Sequence, residues 1–125
     1  MKREIKFRVW DKDAKKMHPV GNINFDPELG VSIENYDVPT FAVTPIYQPH
    51  LVLLQYTGRE DKNGKESYEG DILRDDDGDL FTIEYDDDEA GFFANSQDTS
   101  ASIRDVDGEV IGNIYENPEL LEETR

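Results

Sequence analysis

The chain has 125 residues, with 29 Asp+Glu against 13 Lys+Arg, a formal net charge of -16 and no cysteine. It is one ordinary domain's worth of chain, and Leu, Ile, Val and Phe make up about a quarter of it, above the roughly one-fifth level below which a highly charged chain is expected to stay disordered. Disulfides, thiol nucleophiles and thiolate zinc sites are excluded, and the two histidines, His18 and His50, cannot fill a multi-histidine site alone.

Near the start, Ile5, Phe7 and Val9 alternate with Lys6, Arg8 and Trp10, the period-2 pattern of a strand with one apolar and one basic face. Asp11 to Lys16 is polar turn material, and Met17 to Phe25 can pair back across it, with Ile23 and Phe25 alternating against Asn22 and Asn24. Val31-Ser32-Ile33 adds a short strand. Pro39, Pro45 and Pro49 each remove a backbone donor, so residues 37–50 read as a connector or an edge. Leu51 to Tyr56 is apolar and β-compatible.

The second half is punctuated by Asp61-Lys62-Asn63-Gly64, Asp75-Asp76-Asp77-Gly78 and Asp105-Val106-Asp107-Gly108. Asn-Gly and Asp-Gly tolerate the positive φ angles of tight turns, so three hairpins are expected. They imply strands near Ile72-Leu73, Leu80 to Tyr85, Phe92 to Ala94, Ala101 to Ile103 and Val110 to Tyr115, with a further turn over Asp86 to Gly91. Asn117 before Pro118 and Glu119 predicts a short helix over 117–124, capped by the asparagine, with proline at its first position and early negative charge.

Charge is distributed unevenly: residues 1–20 sum to +4, residues 21–65 to -3 and residues 66–125 to -17. A surface this negative repels the phosphate backbone and an anionic leaflet, so direct nucleic-acid binding and membrane docking are not expected. The longest aliphatic run, Leu51 to Leu54, is too short to span a bilayer. The start has no secretory-signal pattern and there is no cysteine to exploit an oxidising compartment, so the cytoplasm is the expected compartment. A basic start joined to an acidic end permits assembly of copies into a homo-oligomer.

Two acidic clusters invite a chemical reading. With Gly78 at the sixth position of a calcium loop, Asp75, Asp77 and Glu84 take ligand positions, but Leu73 stands where an oxygen ligand is needed. Asp75, Asp76, Asp77 and Asp79 therefore read as an acidic hairpin turn, and Asp86, Asp87, Asp88 and Glu89 as a solvated loop of like charges. Both remain an acidic interaction surface. No metal or cofactor is expected. His18 and His50, each beside a proline in a connector, have no partnered serine, and no catalytic residue is identified. The basic face of Lys6 and Arg8, with Lys2 and Arg3, reads as a counter-charge to the acidic half.

Three blocks resemble the YopX-like family of phage and prophage proteins. They are Arg3 to Asp11, then Leu54 to Gly58 continuing through Asp61 to Glu66 and Tyr68 to Ile72, and finally Val110 to Leu121. The resemblance implies a mainly β protein (β-rich α+β), rich in hairpins, with a small barrel-like C-terminal lobe and a short C-terminal helix. It supplies no established activity and no catalytic residues. Residues 1–125 are expected to form one such domain, with sub-lobes at 1–56 and 57–116. Arg59 and Ser67 stand where apolar residues are associated with the family, which predicts a thinner local cluster. Gly58, Gly64 and Gly70 read as sites where a side chain would clash. Gln55, Tyr56, Thr57, Tyr68 and Glu69 read as either structural or a surface for a partner.

The resulting expectation is a phage accessory protein that binds an unidentified host or phage protein without catalysis. Two rivals are an acidic decoy that fills the nucleic-acid groove of a host protein, and a metal enzyme built on convergent carboxylates.

Overall fold

A computed structural model of the chain describes residues 4–26, 30–35 and 51–122. The proline-rich connector over 37–50, with His50, and the end of the expected helix at 123–124 lie outside the described residues. The chain divides into two compact units, Lys6–Leu54, and Gln55–Arg125 together with Met1–Ile5.

The first unit is an antiparallel meander. β1 (Phe7–Asp11), β2 (Lys16–Asp26) and β3 (Gly30–Asn35) pair in sequence, with Val9 opposite His18 and Ile23 opposite Ile33. Alternation stops short of Ile5, which precedes β1 and is exposed, whereas Val9 and Trp10 are buried. The β1–β2 turn is held by Asp11, whose Oδ1 accepts the amides of Asp13 and Ala14. Lys6, Arg8 and His18 are all engaged in interactions within the protein.

The second unit starts within β4 (Leu51–Glu60), which pairs with the short β5 (Glu66–Tyr68). Tyr56 faces Tyr68 and Glu60 faces Glu66, so Thr57, Gly58 and Arg59 bulge opposite Ser67 alone. A curled half-barrel sheet follows, of β6 (Asp71–Asp75), β7 (Leu80–Asp86), β8 (Gly91–Asn95), β9 (Ser100–Ser102) and β10 (Gly108–Asn113). Its order is β10-β6-β7-β8-β9. Among the described residues the fold is thus strand-rich with one short α-helix, α1 (Glu119–Glu122).

Period-2 alternation puts Leu73, Phe81, Ile83 and Ala94 on one face of this sheet, where they form the core. β9 and β10 lie at opposite edges, so the segment between them must cross the sheet instead of turning back. The third expected hairpin is therefore wrong: Ile103–Asp105 is a turn of 3-10 helix, and Ile103 and Val106 pack on the core as they cross. Gly108 is there for a different reason than a turn. It is buried in β10, and a Cβ would lie 2.8 Å from the backbone oxygen of Arg74.

One local device builds most turns among the described residues. A side-chain oxygen at the first position accepts amides two to four residues on: Asp61 from Asn63 and Lys65, Asp75 from Asp77 and Asp79, Asp86 from Asp88 and Glu89, Ser96 from Asp98 and Thr99, and Asn113 from Tyr115 and Glu116. Asn117 does not play the expected capping role. Its Oδ1 turns back to accept the Asn113 amide at 3.2 Å, and its backbone carbonyl accepts from Leu120.

Candidate functional site

The family-like block around Gly58 to Gly70 is a bracing element. Ser67 is buried, but its hydroxyl donates to the Arg59 carbonyl at 2.7 Å and lies 2.7 Å from the Thr57 hydroxyl, which also accepts the Arg59 amide. The expected thinning of an apolar cluster is thus a satisfied polar network across the bulge. Gly58 and Gly64 are not fixed by crowding, because a Cβ at either meets nothing within 4 Å; their φ angles of 89° and 84° are what exclude other residues. Gly70 does meet a clash: at φ 85°, a Cβ would come within 2.8 Å of the Tyr115 ring. Its amide donates to Ile83 and its carbonyl accepts from Ile114, so the hairpin exit is stitched to both neighbours. Beside it Asp71 is buried, and its Oδ2 accepts the Tyr68 amide at 2.8 Å.

Asp61 ties the β4–β5 turn to the rim of the half-barrel. Besides its two turn amides, its Oδ2 accepts the Val110 amide of β10 at 2.8 Å, while the Lys62 amide donates to the Gly108 carbonyl. Partial burial pushes the Asp61 carboxyl up, but the amides of Val110, Lys65 and Asn63 and the charge of Lys65 outweigh it and hold the group below the ordinary carboxylate range. Around it Lys62 pairs with Asp76 at 2.9 Å, and Arg74 pairs with Glu109. The hydrogen bond and charge of Asp76 raise Lys62, and the Arg74 hydrogen bond lowers Glu109. A cavity of about 170 Å³ opens here over Leu73, Ile103 and Val106, but Asp61 and Lys62 on its rim are already occupied by their partners.

The expected acidic surface resolves into two tips. Asp75, Asp77 and Asp79 lie at the β6–β7 turn, with carboxylate oxygens within 4.8 Å of one another. Asp86 to Glu89 form the β7–β8 turn at the other end of β7, about 20 Å away by strand rise. The clusters do not converge on one cavity, as a metal enzyme using both would need. Glu84, the twelfth position of the calcium-loop pattern, sits on β7 and accepts from the Asn95 side chain at 2.8 Å.

The end of the β7–β8 turn, at Ala90 and Gly91, adjoins part of the other predicted surface. Gln55, Thr57 and Glu69 line an open cleft of about 490 Å³ whose remaining wall is Tyr85, Ala90, Gly91 and Phe92. Glu69 is anchored there, its Oε1 accepting the Gln55 amide and its own amide donating to the Gln55 carbonyl. Tyr56 and Tyr68 form a tilted ring pair, centroids 5.5 Å apart; Tyr56 is buried and Tyr68 half-buried. Gln55, Thr57 and Glu69 line the cleft, and Tyr56 and Tyr68 do not.

Tyr85 and Phe92 were not singled out by sequence. They face each other across the β7–β8 ladder and meet edge to face at 5.3 Å. Phe81, Ile83 and Tyr85 share one face by alternation, yet Tyr85 is 46% exposed because the strand runs past the end of the core. That overrun is the signal that could have found them. Ala90, in the turn above, holds a left-handed φ of 52°, a conformation that costs a non-glycine residue.

No curated protein matches the chain. A solved structure described as the crystal structure of protein EF1440 from Enterococcus faecalis is similar, with 28% identity, a TM-score of 0.71, and coverage of 96% of this chain and 99% of that one. A family described as YopX protein matches residues 6–122. With that match running from β1 through α1, the chain belongs to the YopX protein family.

Proposed function

We propose that this chain is a non-catalytic protein-interaction module, serving a phage or prophage in the bacterial cytoplasm, and that it binds its partner through the cleft between Gln55 and Tyr85. One observation carries the reading: an aromatic pair left partly exposed at the end of the core, beside a cleft whose polar wall is already braced. Exposed aromatics in a concave, rigid setting are the usual anchors of protein interfaces. The phage association rests on the resemblance of the three sequence blocks.

A photo-crosslinking residue at Gln55, with a control at Asp77 on the far turn, tests it in lysate of a phage-carrying bacterium. A discrete adduct at position 55 and none at 77 is expected. Equal adducts at both, or none at 55, overturn the reading. The acidic-decoy rival predicts the former, because it engages both charged tips alike.

A further inference from the structure

The chemistry around the cleft narrows the kind of partner. Asp86 spends its Oδ1 on the amides of Asp88 and Glu89, which fixes the turn. Asp87, Asp88 and Glu89 are exposed at its tip. The half-exposed Tyr85 is in the next strand pair before the turn, and its ring neighbour Phe92 packs against the core. Among the residues lining the cleft there is no cationic side chain. Exposed carboxylates and an exposed aromatic ring at one end of the same hairpin can attract a cation twice over, by charge and by the negative face of the ring.

Resting on the interaction reading above, we infer that this cleft takes a Lys- or Arg-bearing polypeptide segment of a partner protein, its cationic side chain lying against Tyr85 and within reach of the Asp87 to Glu89 tip. The cleft volume of about 490 Å³ leaves room for flanking backbone as well as one side chain. The other acidic tip has no such ring: its neighbouring cleft is lined by Gly78, Asp79, Leu80, Phe81 and the polar turn at Ser96, and Phe81 there is buried. Charge alone would favour both tips, and the ring distinguishes them.

The test uses the full chain and a fluorescein-labelled peptide of alternating Lys and Gly, read by anisotropy at low and moderate salt. A second peptide with Gln for Lys is the uncharged control. Binding of the Lys peptide, absent for the Gln peptide, is expected to weaken about fivefold in Tyr85→Ala and to be retained in Tyr85→Phe. Neutralising the tip as Asp87→Asn/Asp88→Asn/Glu89→Gln is expected to cost more than tenfold. Removing the same charge elsewhere, as Asp77→Asn/Asp79→Asn/Asp98→Asn, is expected to cost less than threefold. Equal losses from the two triple variants, or no loss from Tyr85→Ala, overturn the inference in favour of bulk charge. Displacement by spermidine as effective as by unlabelled peptide overturns the polypeptide assignment. If the peptide fails to bind but crosslinking at Gln55 succeeds, the interaction surface stands and its preference for a basic partner falls.

Discussion

The β4–β5 and β7–β8 turns begin with the same chemistry and end with opposite roles. Asp61 and Asp86 each accept two amides of their own turn. Asp61 then reaches out of its turn to the Val110 amide, and its neighbours Lys62 and Asn63 extend the tie to Asp76 and Glu109. Asp86 has no such reach, and its three acidic followers point into water. The same acidic turn therefore serves as a fastener where a strand edge lies beside it, and as a displayed charge where none does. What decides between them is the third partner, which only the tertiary fold supplies.

Substitutions can break this contrast. The largest effect is expected where the fastened hairpin leaves for the half-barrel. Gly70→Ala adds left-handed strain of roughly 1–2 kcal/mol to a collision with Tyr115, for a loss of about 3 kcal/mol in urea unfolding. Gly64→Ala carries the strain without the collision and should cost only about 1 kcal/mol. Equal losses would mean that Tyr115 yields freely.

Next in size is the pair of turn aspartates. Asp61→Ala strands the Val110 amide as well as two turn amides, and should cost about 2 kcal/mol. Asp86→Ala exposes its freed amides to water, and should cost about 1 kcal/mol or less. A reversed order in denaturant midpoints would remove the distinction between fastener and display.

The fastener also has a pH signature. Asp61 sits below its ordinary value of 3.8, so its contribution is fully present above that pH and is lost as pH falls through the lower folded value. Unfolding midpoints below about pH 4 should drop more steeply in the parent than in Asp61→Asn, which starts lower and has no carboxyl to titrate. Parallel curves would show that the amide bonds do not stabilise the charged form. The smallest stability change belongs to the display tip, where Asp87→Asn/Asp88→Asn/Glu89→Gln should shift stability by less than about 0.5 kcal/mol while removing peptide binding.

Much of the fold was legible because local chemistry and tertiary structure agree. The Asn-Gly at 63–64 and the Asp-Gly at 77–78 do mark turns with positive φ, and alternation in β7 and β8 names the core residues Phe81, Ile83 and Ala94. Asp107-Gly108 reads the same way and is not a hairpin, because the glycine answers to the backbone of Arg74 across the sheet. No local pattern carries that information. The site shows a similar split. Gln55, Thr57 and Glu69 stood out through their sequence blocks, and the acidic tip through its charge, but the ring between them looked like ordinary core. Tyr85 obeys the core pattern and escapes the core only because β7 outruns the residues that would cover it.

Fixing each turn through the oxygen of its first residue has one more consequence. The tip residues contribute little to turn geometry, so they can be exchanged without shifting the register of the strands on either side. Keeping Asp86 and Gly91 while replacing residues 87–89 would give the same hairpin a different face to present. The half-barrel is in that sense a mount with interchangeable heads: a different charge or shape at a tip requires new residues there, not a new fold.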